Sequence, residues 1–172
     1  MSESNGFNVD LTGKVAVVTG GSRGMGKCMS EAFAACGASV VVASRKAEPC
    51  EALAAELNKK YGTRNQGVGC HVGDWDACDA LIKRVTDDYG RLDILVNNAA
   101  MLDISPYRDL SYVRFNEVLR TNLDGALLMT MAAVPLMETA GGGRIVNLAS
   151  IMGLVGSKDS LPYSTAKGGI VN

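Results

Sequence analysis

Short apolar runs alternate along this chain with longer stretches in which apolar residues recur every three or four positions. The runs KVAVVT (14–19), SVVVA (39–43), QGVGCHV (66–72), LDILV (92–96) and RIVNLAS (144–150) are rich in β-branched residues and bounded by turn formers, which predicts buried strands. Residues 24–36, 47–61, 75–89 and 111–140 carry the helical period between them. Strand–helix alternation of this kind predicts right-handed crossovers and a parallel sheet with helices on both faces, a doubly wound α/β fold. Ligands of such sheets sit beyond the C-terminal ends of the strands, so the residues that follow each run are where chemistry is expected.

No internal repeat, low-complexity segment or Pro/Ser-rich linker divides the chain, which predicts one domain over 1–172 with residues 1–10 flexible. The stretch GALLMTMAAVPLM (125–137) is apolar on every side. A helix of that kind needs cover on both faces, and the sheet supplies only one. A second subunit, in a homodimer or homotetramer, is the expected cover for the other, with an overlying segment as the alternative.

Composition narrows the partners. With 47% hydrophobic residues, 20% charged residues, a net charge of −1 and no run of like charges, the chain offers neither a nucleic-acid groove nor a surface for anionic membranes. A small molecule is the expected partner. Five cysteines, odd in number and without a CxxC pair, fit free thiols in a reducing compartment. The N-terminal stretch has no basic start and no apolar core, and no apolar run approaches the roughly 20 residues of a membrane helix, so a cytoplasmic location is expected. His71 is the only histidine, which leaves a Ser-His-Asp hydrolase one candidate base and makes a multi-histidine zinc site impossible. Proton chemistry is expected from another residue type, with no metal.

The first strand runs directly into TGGSRGMG (19–26) and then into a helix. Strand, glycine loop and helix in this order make a nucleotide site: Gly20 can form the tight turn, Gly24 lets backbone approach a diphosphate, and Gly26 allows close helix–strand packing. The helix N-terminus adds free N–H groups and the positive end of its dipole. The same residues hold a rival reading. Gly21, Gly26 and Lys27 match a Walker A loop except at its last position, where Cys28 replaces the hydroxyl that would hold Mg²⁺, so a P-loop phosphotransferase remains a distant alternative.

Near the end of the second strand an acidic residue would receive the adenosine ribose of NAD. Here stand Ser44, Arg45 and Lys46. A guanidinium at that place attracts a 2′-phosphate, and Arg23 adds a second positive charge on the same side, so NADP(H) is expected over the alternative NAD(H).

The spacing of Thr19, Gly20, Gly24 and Gly26 resembles the TGxxxGxG signature of the short-chain dehydrogenase/reductase family, and Tyr163 and Lys167 resemble its YxxxK pair. Ser150, thirteen residues before Tyr163 at the end of the fifth strand, and Asn122, twenty-eight residues before Ser150 in the helix, complete an Asn-Ser-Tyr-Lys tetrad in the family's order and spacing. The resemblance implies a Rossmann-like fold and an oxidoreductase that interconverts an alcohol and a ketone or aldehyde. It assigns Tyr163 as general acid/base, Ser150 as the partner of the substrate oxygen, Lys167 as ribose ligand and tuner of the tyrosine, and Asn122 as holder of a water. Its cofactor contacts fall on Gly20, Ser22, Arg23, Gly24, Met25, Gly26, Ser44, Arg45, His71, Val72, Asn98, Ala99 and Ala100, with Tyr163 and Lys167. Two departures stand out: His71-Val72 where the family has Asp-Val beside the adenine, and Ala100 where NNAG ends in glycine. Elementary chemistry agrees with the tyrosine–lysine pairing, because at ~4 Å and an effective dielectric of ~20 the attraction of an ammonium for a phenolate is about 4 kcal/mol before desolvation. Paired Asn97 and Asn98 at a strand end also suit backbone bonding in a turn.

Family members continue past the position that corresponds to Asn172, so the resemblance implies a C-terminally incomplete sheet and a missing substrate-covering segment. A catalytically inactive nucleotide-binding fragment is therefore the second hypothesis. The loops 101–110 and 151–161 are expected to face the substrate, whose identity the sequence does not specify.

Overall fold

The computed structural model describes residues 9–172, so most of the segment expected to be flexible lies outside the described residues. Five parallel strands, β1 (Val15–Thr19), β2 (Ser39–Ser44), β3 (Gln66–Gly69), β4 (Ile94–Asn97) and β5 (Arg144–Asn147), form one sheet in the order β3-β2-β1-β4-β5. Helices α1 (Gly24–Ala35), α2 (Ala47–Tyr61), α3 (Trp75–Tyr89), α4 (Tyr112–Leu119), α5 (Gly125–Thr139) and α6 (Leu161–Val171) connect or follow them.

Side chains of a strand alternate between faces, so a strand buried on both must be apolar throughout. Strand β1 meets that demand with five consecutive buried residues. Val15 and Val17 join Val41, Leu81, Val85, Leu95, Met129 and Ala133 in one core, whereas Val18 joins Val40, Val42, Leu53, Leu57 and Val96 in the other. The two cores on opposite faces are the doubly wound arrangement that the alternation predicts. The order of the strands reverses between β1 and β4, which places the switch point at the C-terminal ends of Thr19 and Asn97.

Three expected boundaries move. The third strand ends at Gly69 rather than at residue 72, because after Cys70 donates its N–H to Ser44 O the chain turns, with Asp74 N bonded to His71 O. The fifth strand ends at Asn147 rather than at residue 150, and Ser150 stands three residues beyond it as the cap of a short 3₁₀ turn, 151–153. The long helix 111–140 is interrupted by a π-helical turn, Arg120–Asp124, whose wider winding re-aims the residues it contains.

Helix α5 is covered on one side only. Met129, Ala133, Leu136 and Met137 are buried against the core, while Leu127 and Met131 are more than half exposed. Among the described residues no helix is long and apolar enough to cross a membrane.

Candidate active site

At the switch point the glycine loop is tied down by side chains of its neighbours. Thr19, almost fully buried, donates through Oγ1 to Val96 O (3.1 Å) and accepts from the N–H groups of Asn98 (3.0 Å) and Ala99 (3.1 Å). Asn98 Nδ2 donates to Thr19 O (2.8 Å) and Gly20 O (3.2 Å). The paired asparagines thus bond to backbone as their position suggests, although Asn97 turns the other way, to Ala126 O, Thr130 Oγ1 and Asn147 Oδ1.

Glycine is obligatory at Gly26, where a Cβ would stand 2.2 Å from Gly20 O. At Gly24 the backbone is left-handed (φ 54°) and nothing lies within 4 Å of where a Cβ would be, so the loop is open at this point. Arg23, extended at the N-cap of α1, provides no side-chain cap, which leaves first-turn N–H groups free to receive an anion. An open glycine backbone beside uncapped helix donors fits a diphosphate. Arg23 and Met25 are exposed, and Ser22 Oγ donates to Ser44 Oγ (3.1 Å), which joins the loop to the end of β2. Lys27 points away from the loop, pairing with Glu31 (3.5 Å) and Glu56 (3.7 Å), so it is unavailable for the role a Walker A lysine would have.

Beyond the ends of β2 and β3 lies a cavity of about 310 Å³ lined by Arg45, His71, Met101, Arg114, Glu117, Arg120 and Thr121. Arg45 and His71 were singled out by position in the sequence; Arg114, Glu117 and Arg120 were not, because nothing local marks a residue of α4 or its π turn as facing β3. Val72 is a core residue, its side chain 2.6 Å from where a Cβ of Gly125 would stand. Ala100 is exposed at the end of the Asn98–Ala100 turn.

The tetrad residues come from three segments: Asn122 from the π turn, Ser150 from the turn after β5, and Tyr163 with Lys167 from α6. Tyr163 and Lys167 share one face of α6, which begins with Leu161 and Pro162, and the ammonium lies 5.8 Å from the centre of the phenol ring. It is not bonded to the phenol: Lys167 Nζ donates to Leu148 O, and Leu148 in turn is held by its N–H to Asn97 O (3.0 Å). Burial of Lys167 lowers the pKa of its ammonium. Ser150 Oγ accepts from Met152 N (3.2 Å), so the residue caps a turn while its own hydroxyl proton stays free. That turn lies directly on α6, since a Cβ at Gly153 would be 2.5 Å from Lys167 O. Asn122, buried in the π turn, grips the Met101 peptide on both sides, accepting from its N–H (2.6 Å) and donating to its C=O (2.7 Å). The π turn also touches α6, Leu123 lying 2.9 Å from where a Cβ of Gly169 would stand. Asn122, Ser150, Tyr163 and Lys167 are thereby attached to one packed unit.

The exposed rim of this unit is apolar. Leu102, Ile104, Tyr107, Ile151, Leu154 and Val155 all present large exposed side chains from the loops 101–110 and 151–161, and the two loops are joined by Ser105 N donating to Asp159 O (2.7 Å).

A five-stranded doubly wound sheet with a glycine-rich loop at its switch point defines a Rossmann-like class. The sequence model of the short chain dehydrogenases matches residues 14–172, and the chain belongs to that family. It is 38% identical over 165 residues to the D-threitol dehydrogenase of Mycolicibacterium smegmatis, covering 96% of this chain and 63% of that protein. It is 32% identical over 165 residues to the 3-oxoacyl-[acyl-carrier-protein] reductase FabG of Aquifex aeolicus, covering 96% of this chain and 66% of that one. A solved structure from Sinorhizobium meliloti 1021, described as a short-chain alcohol dehydrogenase, superimposes with a TM-score of 0.89 at 37% identity, over 94% of this chain and 64% of that one. The chain therefore spans a little under two thirds of the length of these relatives. Nothing in the comparisons supports a phosphotransferase.

Proposed function

We propose that the protein is an NADP(H)-dependent oxidoreductase that interconverts an alcohol with a ketone or aldehyde, with Tyr163 as general acid/base and the described residues acting as a single cofactor-binding and catalytic unit. The observation that carries this reading is the packing of the Ser150 turn on α6, where a Cβ at Gly153 would stand 2.5 Å from Lys167 O, together with the bond from Lys167 Nζ to Leu148 O that ties the helix to the end of β4 through Asn97.

The loop backbone from Gly20 to Gly26 and the uncapped start of α1 would hold the diphosphate, Ala99 and Ala100 would border the nicotinamide half, and Ser44, Arg45 and Arg23 would receive the 2′-phosphate. When bound, the nicotinamide supplies or takes up a hydride. Tyr163 gives its phenolic proton to the carbonyl oxygen in reduction and takes a proton from the alcohol in oxidation. Ser150, its hydroxyl proton uncommitted, donates to the same oxygen and fixes its position. Lys167, anchored on Leu148 O, presents a positive charge beneath the tyrosine ring and stabilises the phenolate side of that exchange. Asn122 acts as a positioning residue through Met101, because its amide is engaged there; a water linking Lys167 to solvent would rely on the main chain of the π turn.

The relatives' names differ in substrate, from a polyol to an acyl carrier protein thioester. The apolar rim around Ser150 and Tyr163 favours a carbonyl compound with an apolar body. The uncovered face of α5, with Leu127 and Met131, supports self-association into a dimer or tetramer. A location in the cytoplasm accords with five free cysteines among the described residues.

Titration with NADPH and NADH, followed by NADPH oxidation against carbonyls of increasing apolar size, tests the whole reading. Tight NADPH binding and turnover are expected, with Arg45→Asp weakening NADPH selectively. Binding without turnover would favour the nucleotide-binding fragment, and equal or tighter NADH binding would overturn the cofactor preference. Light scattering at tens of micromolar, an order-of-magnitude concentration for an interface of ordinary size, should show more than a monomer.

A further inference from the structure

Odd and even positions of the segment 101–105 serve different ends. Met101 is held on both sides by Asn122 (2.6 and 2.7 Å). Asp103, buried although it carries a charge, accepts from Arg114 Nε (2.5 Å) and from the hydroxyl of Ser105. Ser105 N in turn donates to Asp159 O (2.7 Å). The residues between these anchors, Leu102 and Ile104, are both more than half exposed. Alternation of this kind belongs to an extended backbone, in which fixing every second residue commits the others to the opposite side.

Both ends of this arrangement are rigid. Arg114 lies in the first turn of α4, behind the Ser111 cap that accepts from its N–H (3.1 Å), and its Nη1 also donates to Glu117 Oε2 (3.1 Å), so the guanidinium is fixed from two sides. The Ser105 hydroxyl and the Arg114 guanidinium hold the Asp103 carboxyl below the usual carboxylate range, which keeps the bridging charge in place at neutral pH. At the other end, Asp159 is the one non-glycine among the described residues with a left-handed backbone (φ 58°). Such a conformation is uncommon and persists where its surroundings hold it; here the held group is the carbonyl that meets Ser105 N. The next residue, Ser160, is buried at the start of α6, with Tyr163 three positions further on. A continuous bridge thus runs from α4 through Asp103 and Ser105 to the head of the helix that carries Tyr163.

We propose that Asp103 is a positioning residue for the substrate: by joining Arg114 to Ser105 it locks the loops 101–110 and 151–161 together and so fixes the spacing of the apolar side chains that each loop exposes. This rests on the oxidoreductase reading given above, which seats an apolar carbonyl compound against that rim. Neither Asp103 nor Asp159 needs to touch the compound. Leu102 and Ile104 stand on one side of the bridge and Ile151, Leu154 and Val155 on the other, and a gap held at one width favours an apolar body that fills it. Without the bridge the same side chains are present but must be ordered at the moment of binding, which weakens substrate binding rather than slowing proton transfer.

The test measures kcat and KM at saturating NADPH for propanal and octanal, or for the shortest and longest carbonyls that the parent reduces. The parent should favour the longer one. Asp103→Ala should cut that preference, taken as the ratio of kcat/KM values, by about tenfold, the cost of ordering two apolar side chains anew, and should do so through KM for the longer compound. Asp103→Asn keeps an acceptor without the charge and should fall between. At the far end of the bridge, Asp159→Val is disfavoured by the left-handed backbone and should reproduce Asp103→Ala, whereas Asp159→Gly keeps both that backbone and the carbonyl and should keep the parent's ratio. Combining Asp103→Ala with Asp159→Val should shift the ratio no further than either does alone, because both break the same bridge. A variant that merely folds poorly loses turnover on both compounds alike, so the ratio separates positioning from general damage. Two results would overturn the proposal while leaving the oxidoreductase reading intact: an Asp103→Ala ratio within about twofold of the parent's, or a double variant whose shift is the product of the two single shifts. A parent that binds NADPH and reduces no carbonyl would sink both readings together.

Discussion

The glycine-loop corner and the β5–α6 corner are built on different terms. In the first, β1 is buried from end to end and β2 through its four central residues, and the loop is tied to the end of β4 by Thr19 and Asn98 through five hydrogen bonds. In the second, three of the four residues of β5 are exposed, Val146 among them, and the chemical groups are placed by a lysine on a carbonyl, a serine on the next turn and a glycine without room for a methyl group. Backbone groups locked by a buried network suit recognition of a fixed diphosphate. Side chains carried by two loops and the start of a helix suit proton transfer to substrates of varied shape, because loops can change without disturbing the core. The two corners should therefore fail separately.

Tyr163→Phe breaks the second corner chemically and leaves the first untouched. Carbonyl reduction should fall by about a thousandfold or more, the usual span of general acid catalysis, while the NADPH dissociation constant stays within about twofold. Steady-state rates and nucleotide titration on the same preparation check this, and near-normal turnover would remove Tyr163 from its role.

Gly26→Ala does the converse. Its methyl group would be driven into Gly20 O, so the loop or α1 must shift, with an expected loss of about 3 kcal/mol of stability and of most nucleotide affinity. Chemical denaturation and titration would show it; an unchanged melting curve would mean the loop is more compliant than its contacts suggest.

Gly153→Ala sharpens the comparison further, since the residue carries no chemistry. A Cβ against Lys167 O should lift the 151–153 turn from α6 and carry Ser150 with it, lowering turnover by about tenfold. Ser150→Ala, which removes the donor itself, should cost about a hundredfold, and nucleotide affinity should be spared in both. Equal effects on binding and turnover would place the defect in the fold instead.

The smallest effect concerns stability at the opposite, N-terminal ends of the strands. Burial alone would raise the pKa of Asp93, but hydrogen bonds from Arg91 (2.6 and 2.9 Å), Val15 N (2.9 Å) and Lys14 (3.2 Å) outweigh it and hold the carboxyl at about 2. A folded pKa below the ordinary 3.8 means that the contribution, about 2 kcal/mol, is complete above that value and is lost as the pH falls towards 2. Denaturation midpoints measured across this window should drop for the parent and less for Asp93→Asn.

What the sequence determined by itself is whatever depends on neighbours along the chain. A run of β-branched residues buries itself as a strand, glycines at 20, 24 and 26 shape one loop, and Tyr163 and Lys167 meet because a helix returns to the same face after four residues. The family resemblance added the order of Asn122, Ser150, Tyr163 and Lys167 without the geometry that unites them. Tertiary structure alone decided where the ends of side chains go. Lys167 reaches for Leu148 O rather than the phenol, Asn122 holds Met101 rather than facing Lys167, Val72 turns into the core, and Arg120 crosses to Gly73. Each of these partners lies about twenty or more residues away in the chain, or depends on a π turn that no periodicity announces. Such contacts are selected by which polar groups remain unsatisfied once the two cores have closed, and that accounting exists only in the folded molecule.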